Sequence, residues 1–275
     1  MTAKRLLFRL LEASGINRLM RARHAGQIRV LLYHNVTPGR RHFSNALAPE
    51  EFEQHVAWLR RHCNIAWIDQ TGNWHNLATD RLNVLLTFDD GFVNNVTHVL
   101  PILTRAGTRA TFFLIGSLLA EGGRPWFADR PDLDPAEDEP LRSVTAEAAR
   151  SLIDAGMTIG NHSLAHDDYR TFSVDEAWAD ATRAGTLIEQ QIGVRTQLFA
   201  FPWGFHRPGQ ARAIGRSHRR IFFTDCGFAT PDDRFIARNA VADLDHLKVI
   251  VSGTLDAMLA RRDRTAAAPL RKRAR

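Results

Sequence analysis

An apolar run, Val84-Leu85-Leu86-Thr87-Phe88, ends in two adjacent carboxylates and a glycine, Asp89-Asp90-Gly91. The run reads as a buried strand, and Gly91 gives the backbone freedom for a sharp turn at its exit. Two like charges at the end of a core strand repel unless a cation or a shared proton offsets them, so the pair asks for a metal ion. A second apolar stretch, residues 157–159, leads into Gly160-Asn161-His162-Ser163-Leu164-Ala165-His166. Its imidazoles stand at i and i+4, a spacing that on a helical turn puts both rings on one face.

The remaining pattern alternates. Strands are predicted at residues 27–33, 64–68, 84–88, 110–115, 157–159, 198–201 and 221–224, and helices at 49–62, 96–106, 145–155, 174–192 and 210–217. Each polar group of interest follows a strand, which predicts a parallel α/β architecture with its site at the carboxyl ends of the strands. A barrel and an open doubly wound sheet both fit that rhythm. Residues 121–140, rich in Gly, Pro and acids, read as a long loop or lid.

With 275 residues, 44% of them apolar, the chain can bury one α/β domain of roughly 230 residues. The net charge of +6 is unevenly spread. Residues 1–29 carry seven Lys/Arg against Glu12 and residues 261–275 carry seven against Asp263, which leaves residues 30–260 at −6. The basic charge thus belongs to the ends, and no nucleic-acid motif accompanies it, so nucleic acid is excluded as a partner. Cys63 and Cys226 have no CxxC spacing and read as unpaired thiols. No apolar run is long enough to span a membrane, no signal-peptide pattern opens the chain, and a cytoplasmic location is expected. Within residues 4–23, Leu7, Leu10, Leu11 and Leu19 are ringed by Lys4, Arg5, Arg9, Arg18 and Arg21. They predict a basic amphipathic helix, interrupted at Gly15, that either docks on its own domain or rests on an anionic membrane surface.

Asp90, His162 and His166 offer one oxygen and two nitrogens to a divalent ion and leave positions open for water and substrate. Such donors suit zinc and also admit cobalt, nickel, manganese or iron. Asp89 is then free to take a proton as a general base. At a third strand end, Phe201-Pro202-Trp203-Gly204, the Trp203 N–H can face a developing oxyanion while the indole walls the pocket.

Together, Thr87-Phe88-Asp89-Asp90-Gly91, His162-Ser163-x-x-His166 and Phe201-Pro202-Trp203-Gly204 resemble the first three motifs of the NodB-like polysaccharide deacetylases, carbohydrate esterase family four. The likeness runs from about residue 30 to 241 and includes Leu32-Tyr33-His34. It implies a distorted (β/α) barrel and a metal-dependent hydrolase that removes acetyl groups from N-acetylated glycans. Asp89 would be its base, Asp90, His162 and His166 its metal ligands, and the Trp203 amide its oxyanion donor. Residues 27–260 would form the catalytic domain, preceded by the basic helix at 1–26 and followed by a disordered basic tail at 261–275.

Three departures stand out. Ala200 occupies the place where many members carry the arginine that holds the base; Arg238, in Ile236-Ala237-Arg238 beyond the last predicted strand, is the substitute. The aspartate-tryptophan fourth motif is not visible, although Asp225 follows a strand near its place. For the general acid the sequence offers His246, in Leu244-Asp245-His246, or His34. Competing readings are an amidase acting on a small C–N bond substrate such as a formamide or ureide, and a glycan-binding pseudoenzyme that keeps the metal.

Overall fold

The apolar runs become a ring of parallel strands. The computed structural model describes residues 3–38, 46–120 and 142–258; the expected loop or lid at 121–140 and the tail at 261–275 lie outside them. In chain order the strands are β1 (Ile28–Tyr33), β2 (Asn64–Ile65), β3 (Trp67–Ile68), β4 (Trp74–His75), β5 (Asn83–Phe88), β6 (Thr111–Leu114), β7 (Thr158–Asn161), β8 (Leu198–Ala200), β9 (Arg220–Phe223) and β10 (Phe235–Ala240). The order β1-β10-β9-β8-β7-β6-β5 closes through a β1–β5 pairing, giving a seven-stranded parallel barrel. β2 pairs with β5 outside the ring, and β3 with β4 forms a small antiparallel hairpin.

Alternation along each strand sorts the core. Val30, Leu85, Phe113, Ala200, Phe222 and Ile236 fill the barrel, while Leu31, Leu86, Phe112 and Ile159 pack outward against helices. Those helices are α1 (Ala3–Ala13), α2 (Ile16–Arg23), α3 (Pro49–His62), α4 (Leu100–Arg105), α5 (Gly116–Ala120), α6 (Ala146–Asp154), α7 (Val174–Ile192), α8 (Gln210–Ile214) and α9 (Leu244–Ser252). Their ends follow local chemistry. Thr145 caps α6, Ser173 and Glu176 form a capping box on α7, and Gly193 closes α7 at φ 74°. The helix expected at 96–106 opens as a π-turn over Asn95–Val99 before α4.

Several elements depart from the sequence reading: the strand expected at 64–68 is split into β2 and β3, β4, α5 and α9 are unpredicted, and two further departures bear on function. β10 was not predicted, and it places Arg238 inside a strand instead of beyond the last one. Its residues Arg238 and Asn239 break the apolar run on which a strand assignment depends, yet both are fully buried. The N-terminal segment is two helices, broken at Gly15 with φ 77°. They dock on α9: Phe8 is buried, and Arg5 and Arg9 pair with Asp243 and Asp245 at 2.9 Å each.

Candidate active site

Because all seven strands are parallel, their carboxyl ends meet at one mouth, and alternation decides which side chains enter it. His34, Asp89 and His162 have the inward parity of Val30, Leu85 and Gly160, one step past the ends of β1, β5 and β7. Asp90, next in line, should point outward. A left-handed turn, φ 70° at Asp90 and 66° at Gly91, swings its carboxylate back to the mouth, so two adjacent acids share one site.

The histidine pair does not lie on a helical face. After β7 the chain forms a loop in which Ser163 and His166 have φ 74° and 61°. Asn161 Oδ1 accepts from the Ser163 amide at 2.9 Å, Ser163 Oγ accepts from the His166 amide at 2.9 Å, and the amides of Gly116 and Ser117 bind the carbonyls of Ser163 and Leu164. Among the described residues five non-glycine positions have positive φ, and Asp90, Ser163, His166 and Trp203 are four of them. Strain of this sort, of order 1–3 kcal/mol per residue, persists where the surroundings enforce it and marks functional sites.

His162 Nδ1–H donates to the Ala200 carbonyl at 2.9 Å, which leaves Nε2 facing the acids. That Nε2 lies 3.5 Å from Asp90 Oδ1, and His166 Nε2 lies 3.1 Å from the same oxygen. Ligand atoms of Asp90, His162 and His166 all fall within 4.8 Å of one another, and all three residues are buried. Asp90 Oδ1 accepts no well-aligned hydrogen bond among the described residues. A buried anionic oxygen without a well-aligned donor, facing two imidazole nitrogens, fits a divalent cation.

Asp89 has a different partner. The Arg238 guanidinium, wholly buried, donates through both terminal nitrogens to the two carboxylate oxygens, at 2.5 and 2.7 Å. Its Nε bonds the Phe223 carbonyl, and its cation sits 5.2 Å from the Phe113 ring centroid. Burial pushes the Asp89 carboxyl up, but Arg238 and His162 more than offset it and hold the group below the usual carboxylate range. Asp90 is likewise pushed up by burial and drawn well down by His166 and His162. Burial lowers His162, whereas Asp89 and Asp90 raise it further, for a net upward shift.

Trp203, at φ 58° in the turn after β8, brings its indole to 4.8 Å from the His166 ring. The adjacent Gly204 admits no side chain, since a Cβ there would meet Thr224 Oγ1 at 2.5 Å. His34 belongs to the group: burial lowers its pKa, and Asp90 and Asp89 are the largest opposing influences. His246 is not brought to it. It lies in the first turn of α9, its ring stacked 5.9 Å from Phe8, with Lys4 and Asp243 as the charges around it. Asp225 is exposed beyond β9. The sequence reading missed the supporting groups: Asn161, which also donates to the Ala181 carbonyl, and Asn95, which donates to the His34 carbonyl. Both directly adjoin features singled out in the sequence, but an asparagine carries no signal of its partner.

The sequence model for polysaccharide deacetylases matches residues 77–218, half of the chain and all of the site except His34 and Arg238. The chain belongs to the polysaccharide deacetylase family. A relative described as a putative polysaccharide deacetylase, YxkH of Bacillus subtilis (strain 168), is 21% identical over 217 residues, covering 77% of this chain and 70% of that one. The fold is that of solved deacetylases. Streptococcus pyogenes deacetylase PplD in complex with acetate superposes with a TM-score of 0.64 at 18% identity, covering 78% of this chain and 92% of that one. IcaB from Ammonifex degensii gives 0.64 at 21% identity, covering 83% and 97%. The ring of seven strands is thus the distorted (β/α) barrel of the NodB-like deacetylases.

Proposed function

We propose that the protein is a divalent-metal-dependent hydrolase that removes N-acetyl groups from a GlcNAc-type polysaccharide or its lipid-linked precursor. The observation that carries this reading is a division of labour between adjacent carboxylates. Asp90 faces His162 and His166, while Asp89 is gripped by Arg238. Asp90, His162 and His166 would hold the ion, which supplies Lewis acidity toward water and toward a carbonyl oxygen. One oxygen and two nitrogens suit zinc, and cobalt, nickel, manganese or iron can use the same donors.

Asp89, kept ionised and fixed in direction by Arg238, takes the proton of the water that attacks the acetyl carbon. The Trp203 backbone N–H donates to the oxygen that becomes negative, and its indole walls the acetyl group. The proton that Asp89 has taken from the water passes through His34 to the nitrogen as the C–N bond breaks, so that water and amide become acetate and a free amino sugar. His246 takes no part in these steps. Acetate release from a panel of N-acetylated oligosaccharides tests the proposal. Release that stops with chelator and returns with added zinc is expected. A metal-loaded protein that releases no acetate from any of them, yet cleaves a formamide or ureide, contradicts it.

A further inference from the structure

The N-terminal hairpin docks in an inverted sense. α1 meets the body of the protein through Phe8 and through Arg5 and Arg9, whose guanidinium groups bind Asp243 and Asp245 of α9. At 100° per residue these positions share one side of the helix, which leaves Leu6, Leu7 and Leu10 on the other. Leu10 is 58% exposed, and on α2 Leu19 is 70% exposed. A helix that spends its charged side on its own protein and turns leucines outward has an apolar ridge with nothing from this chain's described residues over it. Glu12 is the only acid among residues 1–29, and its Oε2 is taken by Asn17 Nδ2 at 2.8 Å.

The helix that carries Leu19 also borders a groove of about 710 Å³, which runs between α2, the end of α3 and the loop before β5. Arg18, Arg21, Arg61 and Arg81 line it, against Glu12 and Asp80. Arg21 is the informative member. It is 7% exposed, its guanidinium lies 4.9 Å from the Trp58 ring centroid, and its Nη1 is buried without a hydrogen-bond partner, 3.9 Å from Glu12. A buried guanidinium nitrogen lacking an acceptor costs free energy unless a ligand supplies one. The acceptor that a basic groove selects is an anionic oxygen, and a phosphate matches the guanidinium fork.

We infer that the α1–α2 hairpin is a docking face for an anionic phospholipid surface: the leucine ridge enters the interface and the arginine groove takes a headgroup phosphate. An exposed leucine and a basic groove carried by one helix, α2, are what such a surface engages, each with a different part of the lipid. No described helix is long and apolar enough to cross a membrane. It rests on residues remote from Asp89 and Asp90 and stands independently of the reaction proposed above.

Co-sedimentation of the full chain with phosphatidylcholine vesicles, with and without phosphatidylglycerol, tests the inference. The expected result is binding only to the anionic vesicles, weakened by salt. Each basic residue near such a surface is worth roughly a fivefold change in partition, so Arg18→Gln/Arg81→Gln should weaken binding by roughly 25-fold. Leu6→Gln/Leu10→Gln/Leu19→Gln should abolish it. Both variants carry changes only at exposed positions and should keep the wild-type thermal midpoint and activity. Equal binding to both vesicle types, or no sedimentation of the wild type, overturns the inference. So does stabilisation by inorganic phosphate with no vesicle binding, which would make the groove a soluble-anion site. A dimer in solution that the leucine variant dissociates, again without vesicle binding, assigns the ridge to a second copy and overturns it too.

Discussion

Arg238 and Asp89 stand 149 positions apart and form a buried bidentate pair. Removing one partner of such a pair leaves the other charge uncompensated, so Arg238→Met should cost about 3–5 kcal/mol of stability, read by chemical unfolding. Arg238→Lys keeps the charge but cannot fork across two oxygens, so it should fold better than Arg238→Met and still turn over slowly. A lysine variant with wild-type turnover would remove Arg238 from the positioning of Asp89. The two candidate acids separate in the same way. His34→Gln should lower turnover by the roughly 10²–10⁴ typical of a lost proton-transfer group, while His246→Gln, whose ring packs on Phe8, should leave it unchanged. The reverse ranking would return the role to His246.

At the scale of elements, glycines set how closely the strands that carry the site can pack. In β7 a Cβ on Gly160 would meet the Phe113 ring at 2.3 Å, so Gly160→Ala should lower stability by roughly 1–3 kcal/mol through overpacking at the strand that ends in His162. A thermal midpoint unchanged in that variant would show that the barrel interior yields more than its packing implies. The same elements show what the sequence could convey. Strands with continuous apolar runs were legible, and so were the polar groups at their ends, because the carboxyl ends of parallel strands converge. β10 was not, since its inward Arg238 and its buried Asn239 mimic a loop. Nor was the His162–His166 loop, where the i, i+4 spacing suggests a helix but left-handed turns at Ser163 and His166, pinned by the amides of Gly116 and Ser117, bring the rings together. In each case the decisive partner lies far away in sequence, so local periodicity does not contain it.

For the molecule as a whole, two buried histidines tie stability to pH. Burial lowers both His55 and His218 to about 4. The unfolded chain therefore binds protons at these rings below about 6.5 while the fold does not, and stability falls as pH drops from about 6.5 toward 4. Each ring contributes up to about 3 kcal/mol of that loss. His162 shifts the other way but is common to the wild type and to His55→Gln and His218→Gln, so the difference in slope isolates each ring. A flatter dependence of the thermal midpoint on pH is expected in each variant, and an unchanged slope would contradict the assignment. The two adjacent acids do different work in this site, and metal content measured beside acetate release in Asp89→Asn separates their roles. The variant is expected to keep its divalent ion while turnover falls by roughly 10²–10⁴. An Asp89→Asn protein that loses the ion, or one that keeps it and still turns over like the wild type, would contradict that division of roles.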